Sequence, residues 1–431
     1  MGHYTVYEED WIDEQISSQL GLITETILKN IAGVKSIILT GGFGRGEGSI
    51  KFIGNKMVMP LKDYDIVVVV EEVPSEKDRR KLQRKIYSKL GIEDPESSLF
   101  RFSKFVVDIM FNTKNSLTSP DISDYELKAA SSILYGEDIR NLNPWGYDDI
   151  PLSSGLRLLF EKATGLIGQF SYNYLRSVEL EGPRKEGIIY ECNKTFMEIA
   201  TALCILMRKY THTYVGRMKI FREHYKTDLP CLYKQLPDLP ERVTSATLFK
   251  LRPDFSLVKM DPIDLWFDTR NYLEIVLRYY LEKFLNSTFS DWISFPEKAR
   301  STMWHNYLRP FIRNFTRKIG IEQEGAIAIS NIVSQIIMNI NYMHQILRRN
   351  GTLYLHPLLR PQAPAIKVFL AAPLILFSIS RNGSLHEDYL EKAREELRYC
   401  IPSGFTSLSM SEWDILRSLY LEAYKLHNSS F

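Results

Sequence analysis

Ile66, Val67, Val68, Val69 and Val70 form an unbroken run of β-branched residues directly after LKDYD at 61–65. Such side chains favour strands, and a strand with no polar alternation is one covered on both faces. A chain holding such a strand must supply helices to cover it, and the neighbouring sequence does. Residues 13–30 carry Ile16, Leu20, Ile23 and Ile27 along one helical face. The segment SIILT at 36–40 ends at a glycine cluster, which is a strand signal, and FVVDIMF at 105–111 is a third strand candidate. KDRRKLQRKIYSKL at 77–90 reads as a basic helix with Leu82, Ile86 and Leu90 inward and its charges on a solvated face.

After Pro151 the character changes. Helix-period segments follow at 153–180, 188–210, 260–285, 322–349, 385–398 and 409–427, with no convincing strand. Stretches containing Gly, Pro or Asp at 181–186, 228–241, 253–262 and 360–364 are expected to separate them. The fold class is therefore α+β: an N-terminal domain over 1–150, then a large all-α region divided into 151–290 and 291–431. A chain of 431 residues exceeds one ordinary core, which agrees with several domains.

The bulk composition excludes several classes. A net charge of +2 gives no global field for steering nucleic acid, so a polyanion site must be a local patch. Cys192, Cys204, Cys231 and Cys400 are scattered without a CxxC pair, which argues against structural zinc or a disulfide framework and fits a reducing cytoplasm. The N-terminus MGHYTVYEEDWIDE lacks the layout of a signal peptide. The longest apolar run, 368–379, is broken by Pro373 and falls short of the roughly 20 residues of a bilayer span. It reads as a buried helix, and no membrane is expected.

The chemistry concentrates in IILTGGFGRGEGS at 37–49 and DYD at 63–65. Asp63 and Asp65 stand two residues apart at the start of a strand, so they share a face. Two carboxylates side by side are costly unless a cation neutralises them. Magnesium takes a few carboxylates plus phosphate oxygens and water, which suits this pair. Alternation inside FVVDIMF puts Val106, Asp108 and Met110 on one face, so a third acid is available on another strand. Read singly, Asp63 is a turn residue, Asp65 a strand-edge charge and Asp108 a satisfied buried acid. Together the three suit a two-metal clamp.

Gly41, Gly42, Gly44, Gly46 and Gly48 crowd into one turn straight after a strand. Glycines let backbone amides converge on phosphate oxygens. Arg45 either adds charge to that grip or braces the turn against Glu47. A P-loop fails because Gly46 is followed by Glu47, and the GxGxxG spacing of dinucleotide-binding folds fails as well.

These residues resemble the signature of the DNA polymerase β-like nucleotidyltransferase superfamily. Gly41-Gly42 matches its turn, Asp63-Tyr64-Asp65 its acid pair and Asp108 its third acid. GGFGRGEG looks like the turn of the small bacterial and archaeal members and the aminoglycoside-modifying relatives. Leu134-Tyr135-Gly136 looks like the strand that often closes the domain. The resemblance covers about 35–140, with two departures. Gly42 replaces a common Ser, and GSIKFIGNKMVMPLK at 48–62 lengthens the link to Asp63, as an extended hairpin or loop at the lip of the site.

The resemblance implies an N-terminal catalytic domain with a mixed sheet and flanking helices. The implied reaction moves a nucleoside monophosphate from an NTP, ATP favoured, to an acceptor hydroxyl on a small molecule, protein or RNA, and releases pyrophosphate. Asp63 and Asp65 would hold two Mg2+ ions, with Asp108 on the catalytic ion; Gly41, Gly42, Gly44 and Arg45 would hold the triphosphate. A non-catalytic nucleotide-binding scaffold of the same fold and a toxin-like enzyme modifying tRNA are the alternatives.

In relatives a helical domain closes the cleft. Helix 188–210 carries Glu191, Lys194 and Arg208, followed by Tyr214 and Arg217, and Lys194 is the expected triphosphate contact; a solvated lysine is the alternative. Residues 296–370 are rich in Lys and Arg, interleaved with Trp304, Tyr307, Phe311 and Phe315. That pattern suits RNA, although the aromatic spacing is also that of a helical core. His305, His344 and His356 show no metal-ligand spacing.

Overall fold

A computed structural model of the chain describes residues 2–54, 57–92, 105–114, 120–176, 180–299, 339–348, 355, 364–401 and 411–428. It is α+β, and it divides into two compact units, Met1–Gly155 with Phe196–Lys259, and Leu156–Thr195 with Met260–Phe431. The expected 1–150 segment lies within the first of these.

The first unit begins with α1 (Asp10–Asn30), β1 (Val34–Leu39), the single turn α2 (Gly41–Gly44), β2 (Ile50–Phe52), β3 (Val58–Pro60) and β4 (Asp63–Val70). It continues through α3 (Glu76–Leu90), β5 (Val106–Asn112), α4 (Ile122–Ala129) and β6 (Ser132–Gly136). Among the described residues the main sheet has the order β5-β4-β1-β6. β4 and β5 are parallel while β1 is antiparallel to both β4 and β6, so the sheet is mixed. The link at 48–62 contains a small antiparallel ribbon, β2 on β3.

Burial explains why these segments are strands. Ile66 to Val70 are all buried, alternate residues joining opposite cores. Ile66, Val68 and Val70 pack with Ile16, Leu20, Ile23 and Ile27 of α1 and Leu82 and Ile86 of α3. Val67 and Val69 pack on the other face with Ile38, Leu127 and Ile139. Ser75 caps α3 by accepting from the Asp78 amide, and Gly91 ends it in the left-handed region.

The chain crosses between units inside two helices, α5 (Leu152–Gln169) and α6 (Gly182–Leu206), and a third time between Lys259 and Met260. The first unit is completed by α7 (Tyr214–Asp228), α8 (Pro230–Gln235) and α9 (Leu239–Leu251). Two expectations are corrected here. Residues 181–186 do not separate helices: Gly182 and Pro183 open α6, since proline's missing amide costs nothing in a first turn. The stretch 228–241 likewise contains α8 and the start of α9, each with a proline in its first turn. The helices over 214–251 carry no period strong enough to be read in the sequence.

The second unit holds most of α5 and α6 with α10 (Pro262–Leu285), α11 (Pro364–Leu376), α12 (Glu387–Leu397) and α13 (Glu412–Asn428). Phe170 stacks on Trp266 at 4.0 Å, Trp266 donates to the Leu166 carbonyl at 3.0 Å, and Trp413 to that of Ile375 at 2.9 Å. The apolar run at 368–379 lies mainly in α11 and is buried. Among the described residues no helix is long and apolar enough to cross a membrane. Most of the basic segment 296–370, with Trp304, Tyr307, Phe311, Phe315, His305 and His356, lies outside the described residues.

Candidate functional site

The parallel pairing of β4 with β5 sets Asp65 beside Asp108 and Asp63 beside Val106. Period-two alternation then places Asp63, Asp65 and Asp108 on one face of two neighbouring strands. Asp63 and Asp65 are half-buried and Asp108 is exposed. The intervening Tyr64 points the other way into the core, donates to Gln19 Oε1 at 2.7 Å, and meets Phe43 and Phe105 edge-on. Burial pushes its phenol above its ordinary value, so it stays neutral. This anchor fixes which face of β4 the acids occupy.

The glycine turn is built against Asp65. Thr40 donates through both its amide (2.8 Å) and its hydroxyl (3.2 Å) to the Asp65 carbonyl. Gly41 follows with φ +63, and a Cβ there would lie 1.8 Å from Asp65 Oδ2. The Asp65 carboxylate therefore occupies the place of a side chain at 41, and only glycine fits. A Cβ at Gly44 would come within 2.5 Å of the Leu39 carbonyl oxygen. The amides of Gly44, Arg45, Gly46 and Glu47 bond inside the turn. Those of Gly41 and Gly42 take no acceptor among the described residues.

Of the two readings of Arg45, the geometry supports the brace. Its side chain is 2% exposed and pairs with Glu126 of α4, with Glu47 3.7 Å from its Nε. Arg217 of α7 reaches the same Glu126 at 2.8 Å and Tyr210 Oη at 2.7 Å. Tyr210 donates to Glu126 at 2.5 Å. The Tyr214 ring lies 4.7 Å from each guanidinium. Burial opposes charge on Arg45, but Glu126 with Tyr214 and Tyr210 together outweigh it and hold the guanidinium above its ordinary value. Burial would raise Glu126 too, yet Arg45 and Arg217 together bring it below the usual carboxylate range.

Glu47, 1% exposed, lies against the N-terminus of α7. Its carboxylate accepts from the Tyr214 amide at 2.7 Å and the Val215 amide at 3.0 Å, at the positive end of α7. The two charged residues of GRGEG thus fasten the turn to α4 and α7. Sequence reasoning named Arg217 without this role and missed Glu126. The available signal was Arg217 itself, which interrupts the buried stripe Arg217, Phe221, Tyr225 of α7.

Lys194 is half-buried in α6 and belongs to the second unit, whereas the acids and the turn belong to the first. Arg208 follows the end of α6 with φ +57, and its guanidinium donates to the carbonyls of Asp148 (3.1 Å) and Ile150 (2.8 Å).

The donor set is one that magnesium accepts: hard carboxylate oxygens on a common face beside open amides. Among the described residues, however, no group of three His, Cys, Asp or Glu side chains is gathered closely enough to hold a metal ion as it stands. No protein-family model matches the chain, and no curated protein matches it.

Proposed function

We propose that the first unit is a metal-dependent nucleotidyltransferase of the polymerase β-like kind, moving a nucleoside monophosphate from an NTP, with ATP as the favoured donor, to an acceptor hydroxyl. The observation that carries this reading is the contact between Asp65 and Gly41, which joins the acid face and the glycine turn in one place. Asp63, Asp65 and Asp108 would hold Mg2+, which supplies charge neutralisation for the phosphates and acidifies the acceptor hydroxyl. The Gly41 and Gly42 amides serve the triphosphate oxygens. The acceptor oxygen bonds to the α-phosphorus, the bridge to the β-phosphate breaks, and pyrophosphate leaves with the electron pair. Asp108, the most exposed of the acids, receives the acceptor's proton.

A second reading, a nucleotide-binding scaffold without chemistry, is favoured by the lack of a gathered metal cluster among the described residues. Calorimetric titration of ATP, GTP, CTP and UTP with and without magnesium separates the two. Magnesium-dependent binding of one nucleotide, lost in Asp63→Ala/Asp65→Ala, supports transfer. Magnesium-independent binding supports the scaffold, and no binding by folded protein refutes both.

A further inference from the structure

The helix α3 concentrates positive charge on one exposed surface. α3 carries Lys77, Arg79, Arg80, Lys81, Arg84, Lys85 and Lys89 against Glu76 and Asp78, a net of +5 where the whole chain has +2. The remainder of the chain is therefore net negative as a whole. Its orientation is fixed, because Leu82, Ile86 and Tyr87 are buried in the core that α3 shares with α1. Gln83 ties the helix to β5 by donating to the Val107 carbonyl at 3.2 Å.

Lys77, Lys81, Lys85 and Lys89 fall at successive i,i+4 positions, and all are exposed. They make one inclined row that winds about 40° per step, with a charge every ~6 Å along the axis, from about 3.6 residues per turn and a rise of about 1.5 Å per residue. Like charges at this spacing destabilise a helix. Arg80 pairs with Glu76, Lys85 donates to Asn30, and Lys89 acts on Glu25 from a distance. A ladder of strongly hydrated ammonium groups is a surface for a regularly spaced polyanion. The choice between a nucleic acid and an anionic bilayer follows from the apolar residues. An interfacial helix presents them to the lipid beside its basic face, whereas those of α3 point into the core.

We propose that the outer face of α3 docks the phosphate backbone of a nucleic-acid strand. The proposal does not depend on nucleotidyl transfer at the acid face. The test is fluorescence anisotropy of a labelled oligouridylate with the full-length chain across about 50–300 mM KCl, where each phosphate contact adds roughly −0.7 to the log–log salt slope. The wild type is expected to show a slope near −3, as four such contacts require. Lys77→Gln/Lys81→Gln/Lys85→Gln/Lys89→Gln is expected to lose at least about tenfold in affinity at 100 mM salt and most of that slope. The matching Lys→Arg variant retains both, and Lys81→Gln alone lowers the slope by about 0.7. Unchanged binding by the Gln variant overturns the proposal, as does wild type that ignores RNA yet binds phosphatidylserine vesicles. Magnesium–ATP calorimetry on the same Gln variant reports on the acid face separately, so failure of either idea is recognisable.

Discussion

Replacing Glu126 by alanine removes the one carboxylate that two buried guanidinium groups share. Arg45 and Arg217 are 2% and 4% exposed, and Glu126 itself 16%. Without it, Arg45 keeps Glu47 at 3.7 Å and the Tyr214 ring, and Arg217 keeps a phenol, two carbonyls and the same ring. Breaking a buried ion pair from one side costs about 3–5 kcal/mol, because the surviving charge stays desolvated. At about 1.4 kcal/mol per decade, that is two to four orders of magnitude in the local opening equilibrium. Amide hydrogen exchange of peptides covering 41–48 and 214–228 reads it directly. Glu126→Gln keeps an acceptor for Tyr210 and loses only the charge, so its effect is smaller. The pH dependence has a definite sign. The Glu126 pKa is lowered in the folded chain, so its stabilisation is fully present above the ordinary glutamate value and is lost as pH falls through the lowered one. The gap between wild type and Glu126→Gln therefore closes below about pH 4. Unaltered exchange in Glu126→Ala at neutral pH would refute the reasoning, as would a gap that widens in acid.

Three further outcomes are expected. Gly41→Ala forces a Cβ to within 1.8 Å of Asp65 Oδ2 at a positive φ; it should destabilise by at least about 1–2 kcal/mol and abolish magnesium-dependent nucleotide binding, and wild-type calorimetry from this variant would contradict the site. Arg208 occupies the left-handed region at φ +57, so Arg208→Ala and Arg208→Gly lose the same two hydrogen bonds but differ in backbone strain. The alanine variant should be the less stable by about 1 kcal/mol in urea denaturation, and identical midpoints would count against strain at this position. Cys192, Cys204 and Cys400 are buried while Cys231 is exposed, and burial pushes the Cys204 and Cys400 thiols up to about 12. Ellman's reagent should titrate one thiol rapidly in the native chain and the rest only on unfolding; rapid reaction of a second would show that a core opens.

Much of the first unit could be read locally. The run at 66–70 could only be a strand covered on both sides, and the helices that cover it carry their apolar residues at helical spacing. The face shared by Asp63 and Asp65 follows from alternation alone. What alternation could not supply is register: Asp108 sits opposite Asp65 because β4 and β5 are parallel and aligned at that residue. The division into units was illegible for a related reason. Two of the crossings fall within α5 and α6, where a continuous helix leaves no loop signal, and only the third, between Lys259 and Met260, falls in a stretch, 253–262, that the sequence marks as a separator.

The turn GRGEG shows most clearly where local reading ends. A glycine-rich segment after a strand suggests that its one cation faces the ligand, and Arg45 was accordingly a candidate for phosphate. Its partner is Glu126, 81 residues on, and the network is completed by Arg217 a further 91 residues along the chain. No window of sequence contains these groups together, and none shows that Glu47 caps α7. The division of labour nevertheless has a physical logic. A turn that grips phosphate through backbone amides needs its glycines bare and its backbone held still. Glycine has the greatest conformational freedom to lose, so rigidity must come from the non-glycine residues between. Arg45 and Glu47, buried and fastened to separate helices, supply it, and the backbone amides of Gly41 and Gly42 are left without an acceptor among the described residues.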